Sequence, residues 1–361
     1  MSCGRRFAAR FGRSGSARAG TTARGSVVRF AAVALVLLLM SACSGSEEPE
    51  ADPEPAAADG GTSDVAATGG PPERGRIDLG LLPLIDVAPV YIAMEEGLFE
   101  REGLEIEIVP VQGGAASIPA MIAGELDIAF GAIPSTLSGS ANGLDLRLVA
   151  EQNRASPGFS DLSTLPGSGL AGDPAALEGK SLALNTFANV AELTARSVVE
   201  AAGGEFSEID IIEVPFPEMI PMLERGELDA AFLVEPFTTI AKQSLGAESV
   251  VDPYNGETEG LPVGGYTTTD NFAANFPNTV AAFQRAIIAA TDIARENPQR
   301  VIDILPTYTT LDAEAAATVT QPEFQARIER EQIQRIVDLM VKHGLLMEPV
   351  ELDTIIIPSP E

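Results

Sequence analysis

Three residue types are scarce in this chain. Its 361 residues include no tryptophan, a single histidine and two cysteines, and aromatic residues make up only 5% of the total. One histidine and two widely spaced cysteines exclude a histidine–cysteine zinc cluster. We therefore expect no metal site and no cofactor. Because the cysteines are Cys3 and Cys43, no disulfide can form beyond residue 43, and aliphatic packing must stabilise the fold.

Basic residues and long apolar runs are also few. The chain carries 23 basic and 52 acidic residues, a formal net charge of −29, so nucleic acid is a poor partner. The apolar run before Cys43 has about 11 residues, whereas a membrane-spanning helix needs roughly 20. That run follows seven arginines and no acidic residue. A basic region, a short apolar region and small residues are typical of a secretory signal, here residues 1–42.

The signal ends in Met40-Ser41-Ala42-Cys43, which resembles the box of bacterial lipoproteins. The resemblance implies cleavage before Cys43, lipidation of its thiol and anchoring on the extracellular face of the cell membrane, as Gram-positive bacteria keep such proteins. A secreted protein with an incidental Cys43 is the alternative. Residues 43–75 are mostly Ser, Glu, Pro, Ala and Gly, a composition that predicts a disordered tether.

Short strands alternate with helices from Arg76 onward. IDLGLL, LEIEIVPV and LDIAF read as strands separated by helices, and the same order returns after a polar stretch at residues 153–176, beginning with KSLALN. The remainder is mostly helical. Alternating strands and helices favour parallel pairing with right-handed crossovers. The sequence therefore predicts an α/β fold with two units, residues 76–150 and 151–254.

A passage of thirteen residues occurs in both units. IPAMIAGELDIAF starts at Ile118 and IPMLERGELDAAF starts at Ile220, with eight identical positions. Each copy falls where a helix ends in glycine and a strand begins. We expect the glycine to adopt the left-handed conformation that ends a helix. Asp127 and Asp229 are expected to hydrogen-bond the backbone at the strand start, so the repeat is interpreted as scaffold.

Ligands of open parallel sheets bind beyond the carboxyl ends of the strands, where helices begin with free N–H groups. The residues at these points are therefore the candidate ligand contacts. Three alternatives remain open: the asparagines and Thr186 as helix caps, the phenylalanines as core, and Glu235 as a partner of a helix dipole. The candidates are Ile85, Asp86, Gln112, Gly113, Gly114, Ala132, Ser135, Asn185, Thr186, Phe187, Asn189, Phe216, Glu235 and Phe237.

Motifs for catalysis are absent from the sequence. There is no Walker loop, no GxGxxG after a strand, and no carboxylate pair at a recognisable catalytic spacing. The histidine, His343, is expected near the end of a C-terminal helix. We therefore predict no catalytic residues.

Several segments together carry a family resemblance. APVYIA with EEGLFEREGLEIE, the QGG and GELDIAFG block, VEPF and NPQRVIDILPTYT resemble the nitrate/taurine/sulfonate-type substrate-binding proteins of ABC transporters. The likeness extends from about residue 76 to residue 346. It implies the two-lobed type II periplasmic-binding-protein fold, each lobe a mainly parallel sheet flanked by helices. The lobes would be residues 76–150 with 255–361, and residues 151–254, joined by a hinge.

The resemblance also implies partners. A monomeric receptor would bind a small molecule between the lobes and deliver it to a membrane permease, while a partner ATPase hydrolyses ATP. The family takes nitrate, alkanesulfonates, taurine and heteroaromatic vitamin precursors. Arg154 is the basic residue close to the candidate loops, whereas Glu235 with the phenylalanines would suit a flat, amine-bearing molecule. A sensing lipoprotein not coupled to transport and a vitamin-pathway enzyme on a related fold are the other two hypotheses.

Overall fold

The computed structural model describes residues 69–360, which belong to one compact unit, Gly60–Glu361. The predicted signal, Cys43 and the first part of the predicted tether lie outside the described residues. The described residues form two β-sheets with helices packed around them. We call the part around the six-stranded sheet the first lobe and the part around the five-stranded sheet the second lobe.

The strands are β1 (Arg76–Leu81), β2 (Glu105–Pro110), β3 (Ile128–Ala132), β4 (Leu146–Arg154), β5 (Ser160–Thr164), β6 (Ser181–Leu184), β7 (Asp210–Glu213), β8 (Ala230–Val234), β9 (Glu248–Val251), β10 (Pro262–Thr269) and β11 (Glu323–Phe324). The helices are α1 (Ala88–Glu95), α2 (Leu98–Arg101), α3 (Gly114–Ala123), α4 (Ile133–Ala141), α5 (Val190–Ala201), α6 (Phe216–Glu224), α7 (Phe237–Leu245), α8 (Asp270–Asn275), α9 (Pro277–Glu296), α10 (Pro298–Ile304), α11 (Ala313–Ala316) and α12 (Arg330–Lys342).

Both sheets follow the same plan. The first has the order β11-β4-β10-β3-β1-β2 and the second the order β7-β6-β8-β5-β9. In the first sheet β1 pairs parallel with β2 and β3, and in the second β6 pairs parallel with β7 and β8. These parallel cores confirm the α/β fold class.

Each sheet also contains an interior strand that runs against both of its neighbours, and in the first sheet the edge strand β11 is antiparallel to β4 as well. β10 lies antiparallel between β3 and β4, and β5 lies antiparallel between β8 and β9. The sequence patterns do not predict these strands, because β5 falls in the polar stretch and β10 in the region expected to be helical. β5 follows β4 of the first sheet, and β10 follows β9 of the second. Each sheet therefore contains one strand that follows, along the chain, directly after a strand of the other sheet.

The repeated passage performs the structural role expected of it. The backbone N–H of Asp78 on β1 donates to Asp127 Oδ2 at 2.9 Å, and that of Ser181 on β6 donates to Asp229 Oδ2 at 2.9 Å. Gly124 and Gly226 have φ angles of 74° and 68°. The prediction is confirmed in both lobes, since each aspartate ties the start of its strand to the neighbouring parallel strand.

Buried aliphatic side chains hold the helices against the sheets. The apolar face of α9, which includes Val280, Phe283 and Ile287 at helical spacing, is fully buried, as is the face of α12 around Ile336. None of the helices within residues 69–360 is long and apolar enough to cross a membrane.

Residues that precede β1 also pack on the first lobe. Glu73 Oε2 accepts the N–H of Thr279 at the start of α9 at 2.9 Å, and the N–H of Arg74 donates to Thr279 Oγ1 at 3.0 Å. The guanidinium of Arg74 also lies 2.9 Å from Asp127. The last residues of the predicted tether are therefore bound to the first lobe rather than free.

Candidate functional site

A cavity of about 40 Å³ lies between the two lobes, at the carboxyl ends of the parallel strands. Both lobes contribute to its wall, as expected from the position of ligand sites in open sheets. The lining residues are Leu82, Leu84, Asp86, Gly113, Gly114, Phe130, Gly131, Ala132, Asn185, Thr186, Asn189, Val190, Ala191, Phe216, Phe232, Val234, Val263 and Gly264.

Four helices begin at this wall. α3 and α4 start at Gly114 and Ile133 in the first lobe, and α5 and α6 start at Val190 and Phe216 in the second. The first N–H groups of a helix have no carbonyl partner within it and carry a partial positive charge. The cavity is therefore suited to hydrogen-bond acceptors on a bound solute.

Glycines bring backbone close to the cavity. A Cβ atom on Gly131 would lie 2.3 Å from the Cα of Gly114, so the end of β3 and the start of α3 touch backbone to backbone. A Cβ on Gly113 would lie 3.0 Å from Cγ2 of Thr186 in the second lobe. Glycine at these positions lets main-chain atoms of one lobe approach the other directly.

Asn189 organises the polar part of the second lobe. Its Oδ1 accepts the N–H of Glu192 at 3.2 Å, which confirms it as the amino-terminal cap of α5. Its Nδ2 donates to Asn185 Oδ1 and to Thr186 Oγ1, each at 2.9 Å. Capping a helix and lining the cavity are thus compatible roles for one side chain.

Asp86 is the acidic residue in the lining of the cavity. It lies in a short 3₁₀ turn after β1, its side chain is 1% exposed, and its Oδ1 accepts from Asn153 Nδ2 at 3.0 Å. Its Oδ2 has no hydrogen-bond partner among the described residues. Burial raises the pKa of Asp86 to about 7, although its hydrogen bonds, including the one from Asn153, act in the opposite direction.

Within the described range, no lysine, arginine or histidine lines this cavity. Arg154 does not reach it, because its guanidinium lies 2.7 Å from Glu151 and 3.2 Å from Glu329. Nor do residues 69–360 contain any group of three or more metal-ligating side chains placed to hold an ion.

The phenylalanines differ in their positions. Phe216 lines the cavity and stacks on Phe237, with ring centroids 5.7 Å apart. A neighbouring cavity of about 200 Å³ is bounded by Phe216, Phe237 and Gln112. Phe187 is 48% exposed, and its N–H donates to Glu213.

Glu235 joins the lobes outside both cavities. Its carboxylate accepts from Thr239 Oγ1 at 2.9 Å and from the N–H of Thr320 at 3.2 Å, and its carbonyl accepts the N–H of Ile85 at 3.2 Å. These bonds connect the loop after β8 with two segments of the first lobe. Ser135 is buried within α4 and also lies outside the linings.

Eight of the candidate residues therefore meet at one cavity: Asp86, Gly113, Gly114, Ala132, Asn185, Thr186, Asn189 and Phe216. Gln112 and Phe237 line the neighbouring cavity, while Ile85, Ser135, Phe187 and Glu235 line neither. The lining residues that the sequence patterns do not single out are mainly apolar, and in a sequence they are indistinguishable from core.

Comparison with known proteins gives one family match. The family model described as NMT1/THI5 like matches residues 85–301, more than half of the chain. A Bacillus subtilis (strain 168) protein with the provisional name aliphatic sulfonates-binding protein is 24% identical over 238 residues, 64% of this chain and 70% of its own length.

Two solved structures share the fold. The alkanesulfonate-binding protein SsuA of Xanthomonas axonopodis pv. citri, bound to MOPS, has a TM-score of 0.69 at 18% identity and covers 78% of this chain and 98% of its own. The periplasmic nitrate-binding protein NrtA of Synechocystis PCC 6803 has a TM-score of 0.67 at 16% identity, covering 79% of this chain and 85% of its own. These neighbours confirm the periplasmic-binding-protein fold.

The same fold occurs in an enzyme. The desulfurization enzyme DszB aligns with a TM-score of 0.58 at 16% identity, over 79% of this chain and 97% of its own. The fold by itself therefore does not separate a receptor from a catalyst.

Proposed function

The chain belongs to the NMT1/THI5-like family, and from this we propose that it is the extracytoplasmic solute-binding lipoprotein of an ABC importer. It binds a small organic nutrient between its lobes and delivers it to a membrane permease, whose partner ATPase supplies the energy. The observation that carries this proposal is the cavity where four helix amino termini of two lobes converge on the carboxyl ends of the strands.

The proposed mechanism is hinge closure. A solute that contacts Gly114 and Ala132 on one side and Asn189 and Phe216 on the other favours the closed arrangement of the lobes, which the permease recognises. We propose that the hinge lies where the chain passes between the sheets, with lobes at residues 76–150 plus 255–361 and 151–254. The nutrient is sulfonate- or taurine-like, or resembles a heteroaromatic vitamin precursor.

The lining also favours a receptor over an enzyme. Its polar side chains are one carboxyl, two amides and a hydroxyl, and the lining contains no histidine or cysteine among the described residues. A nucleophile with an adjacent base is therefore not assembled at this site. We propose no catalytic activity, no cofactor and a monomeric receptor.

A thermal-unfolding screen tests solute binding. The chain from Ser44 onward is mixed with sulfonates, taurine, nitrate, pyrimidines, flavins and aromatic acids. A compound present at 100 times its dissociation constant adds about 2.7 kcal/mol to the free energy of unfolding. We expect one class to raise the midpoint by roughly 5 °C. A panel that leaves the midpoint unchanged throughout would contradict the proposed function.

Lipid labelling tests the anchor. In cells given a palmitate analogue, we expect the full chain to be labelled and to sediment with membranes, and the Cys43→Ser variant to be unlabelled. Cys3→Ser is the matched control, because Cys3 lies in the proposed signal and should leave labelling intact. Label that persists on Cys43→Ser would refute the anchor.

A further inference from the structure

Two hydrogen-bond acceptors at the cavity have no partner among residues 69–360. They are Asp86 Oδ2 and Asn153 Oδ1, on side chains that are 1% and 0% exposed. The two side chains are joined by the 3.0 Å bond from Asn153 Nδ2 to Asp86 Oδ1. A Cβ on Gly264, which lines the cavity, would lie 3.1 Å from Asn153 Oδ1. Asp86 therefore lines the cavity itself, while Asn153 Oδ1 lies next to Gly264, just behind its wall.

Unsatisfied buried acceptors are costly, and a folded protein keeps few of them. No basic side chain lines the cavity within the described range. The carboxyl of Asp86 is therefore not balanced by the protein itself. A solute that donates hydrogen bonds would balance it, whereas a purely anionic solute would bring a second negative charge beside it.

The helix amino termini favour the opposite kind of group on the solute, a hydrogen-bond acceptor. The amino termini of α3, α4, α5 and α6 lie at the same cavity and bring partial positive charge to it, although Pro134 of α4 and Pro217 of α6 have no N–H to donate. These groups favour an acceptor on the solute, such as a ring nitrogen, a carbonyl or a sulfonate. The site thus offers acceptors at Asp86 and donors at the helix termini.

We propose that the cavity selects a bifunctional solute, with an N–H donor directed at Asp86, which Asn153 holds in place, and an acceptor directed at the helix amino termini. Taurine and amino-substituted heterocycles have both groups, whereas nitrate and unsubstituted alkanesulfonates lack the donor. This inference rests on the proposed solute-binding function and narrows its substrate class.

Matched pairs of compounds test the donor requirement. Taurine is compared with ethanesulfonate, and 4-aminopyrimidine with pyrimidine, since each pair differs by one amino group. Calorimetric titration of the chain from Ser44 onward at pH 8, where the Asp86 carboxyl is ionised, should show roughly tenfold to hundredfold tighter binding of the amine in at least one pair, the range expected for a hydrogen bond to a charged group. Equal or tighter binding of the amine-free members would overturn the proposal.

The Asp86→Asn variant tests whether Asp86 causes the preference for the amine. Asparagine keeps the acceptor for Asn153 but removes the charge, so the preference for the amine should fall to within about threefold, a difference of about 0.6 kcal/mol or less. Asp161→Asn is the matched control, because Asp161 is equally buried on β5 but is bonded by Ser163 and Ser249 and lies outside the lining. A preference retained by Asp86→Asn would overturn the role of Asp86.

The stability of the solute-free protein distinguishes a ligand-binding role of Asp86 from a structural role. The folded-state pKa of Asp86 is raised from 3.8 to about 7, so its contribution to stability is complete only below about pH 3.8 and is lost progressively as the pH rises to about 7. The titratable neighbours Tyr254, Tyr266 and Tyr308 stay neutral here, since burial, followed by charges that include that of Asp86, raises their pKa values well above 10.0.

We therefore expect Asp86→Asn to raise the melting temperature clearly at pH 8.5, by a smaller amount at pH 5, and hardly at all at pH 3. A fall at all three pH values would mean that Asp86 is structural and would overturn the proposal. If none of the four compounds binds wild type, the solute-binding function is in question, and the stability measurement still decides the role of Asp86.

Discussion

Arg154→Ala is expected to lower the free energy of unfolding by about 3–5 kcal/mol, the cost typical of removing one partner from a buried ion pair. Glu151 on β4 is fully buried and lies 2.7 Å from the Arg154 guanidinium. Burial raises the pKa of Glu151 to about 7 even with Arg154 beside it, so without Arg154 the buried acid would lose its hydrogen-bond donor and have to take up a proton. For a domain of this size the loss corresponds to roughly 6–10 °C in the thermal midpoint.

Arg295→Ala is the matched control for this effect. Arg295 also pairs with an acid three residues earlier, Asp292, at 2.7 Å, but the two side chains are 52% and 46% exposed. Exposed pairs of this kind contribute less than about 1 kcal/mol. Equal losses in the two variants, measured by urea unfolding, would show that burial of Glu151 does not control the energy of its pair.

Arg154 also links two segments of the chain. It ends β4, from which the chain leaves the first sheet for the second, and it also contacts Glu329 at 3.2 Å, the residue before α12. The pair thus holds the C-terminal segment against the strand that leads into the second lobe.

The parallel core of each lobe could be predicted from sequence because its signals are local. The two copies of GELD mark a glycine-ended helix and a strand start, and the aspartate of each copy makes the expected backbone bond. Periodic apolar faces on α9 and α12 are equally local, and all of them are buried.

The antiparallel strands could not be predicted, because their stability comes from distant partners. The sequence of β5, SDLST, is mostly polar, yet the strand is buried between β8 and β9. Two of its polar side chains are bonded by residues far along the chain: Thr164 Oγ1 donates to the carbonyl of Asp229 at 2.7 Å, and Asp161 accepts from Ser249. β10 contains two adjacent glycines and lies against Phe130, so only the assembled sheet explains it.

The sequence could predict which loops form the site, but not every residue that contributes to it. The rule that ligands bind beyond strand ends brought together residues such as Asp86, Gly114 and Asn189. It could not identify Asn153, which lies within β4, or show that the carboxylate of Glu235 is occupied by Thr239 and Thr320. Those facts depend on how the lobes approach each other.

Ala132→Leu is expected to weaken solute binding by roughly 5-fold to 150-fold, the equivalent of the 1–3 kcal/mol that overpacking usually costs. Ala132 caps the amino end of α4 and lines the 40 Å³ cavity. A leucine there would occupy the space between the lobes that a solute must fill. Ala123→Leu, at the exposed end of α3, is the matched control.

Calorimetric titration of these two variants with the solute identified by thermal unfolding tests most directly whether the interlobe cavity is the binding site. We expect one molecule to bind per chain in wild type and in Ala123→Leu with the same affinity, and binding to Ala132→Leu to be strongly weakened. An Ala132→Leu variant that binds the solute as tightly as wild type would place the site elsewhere.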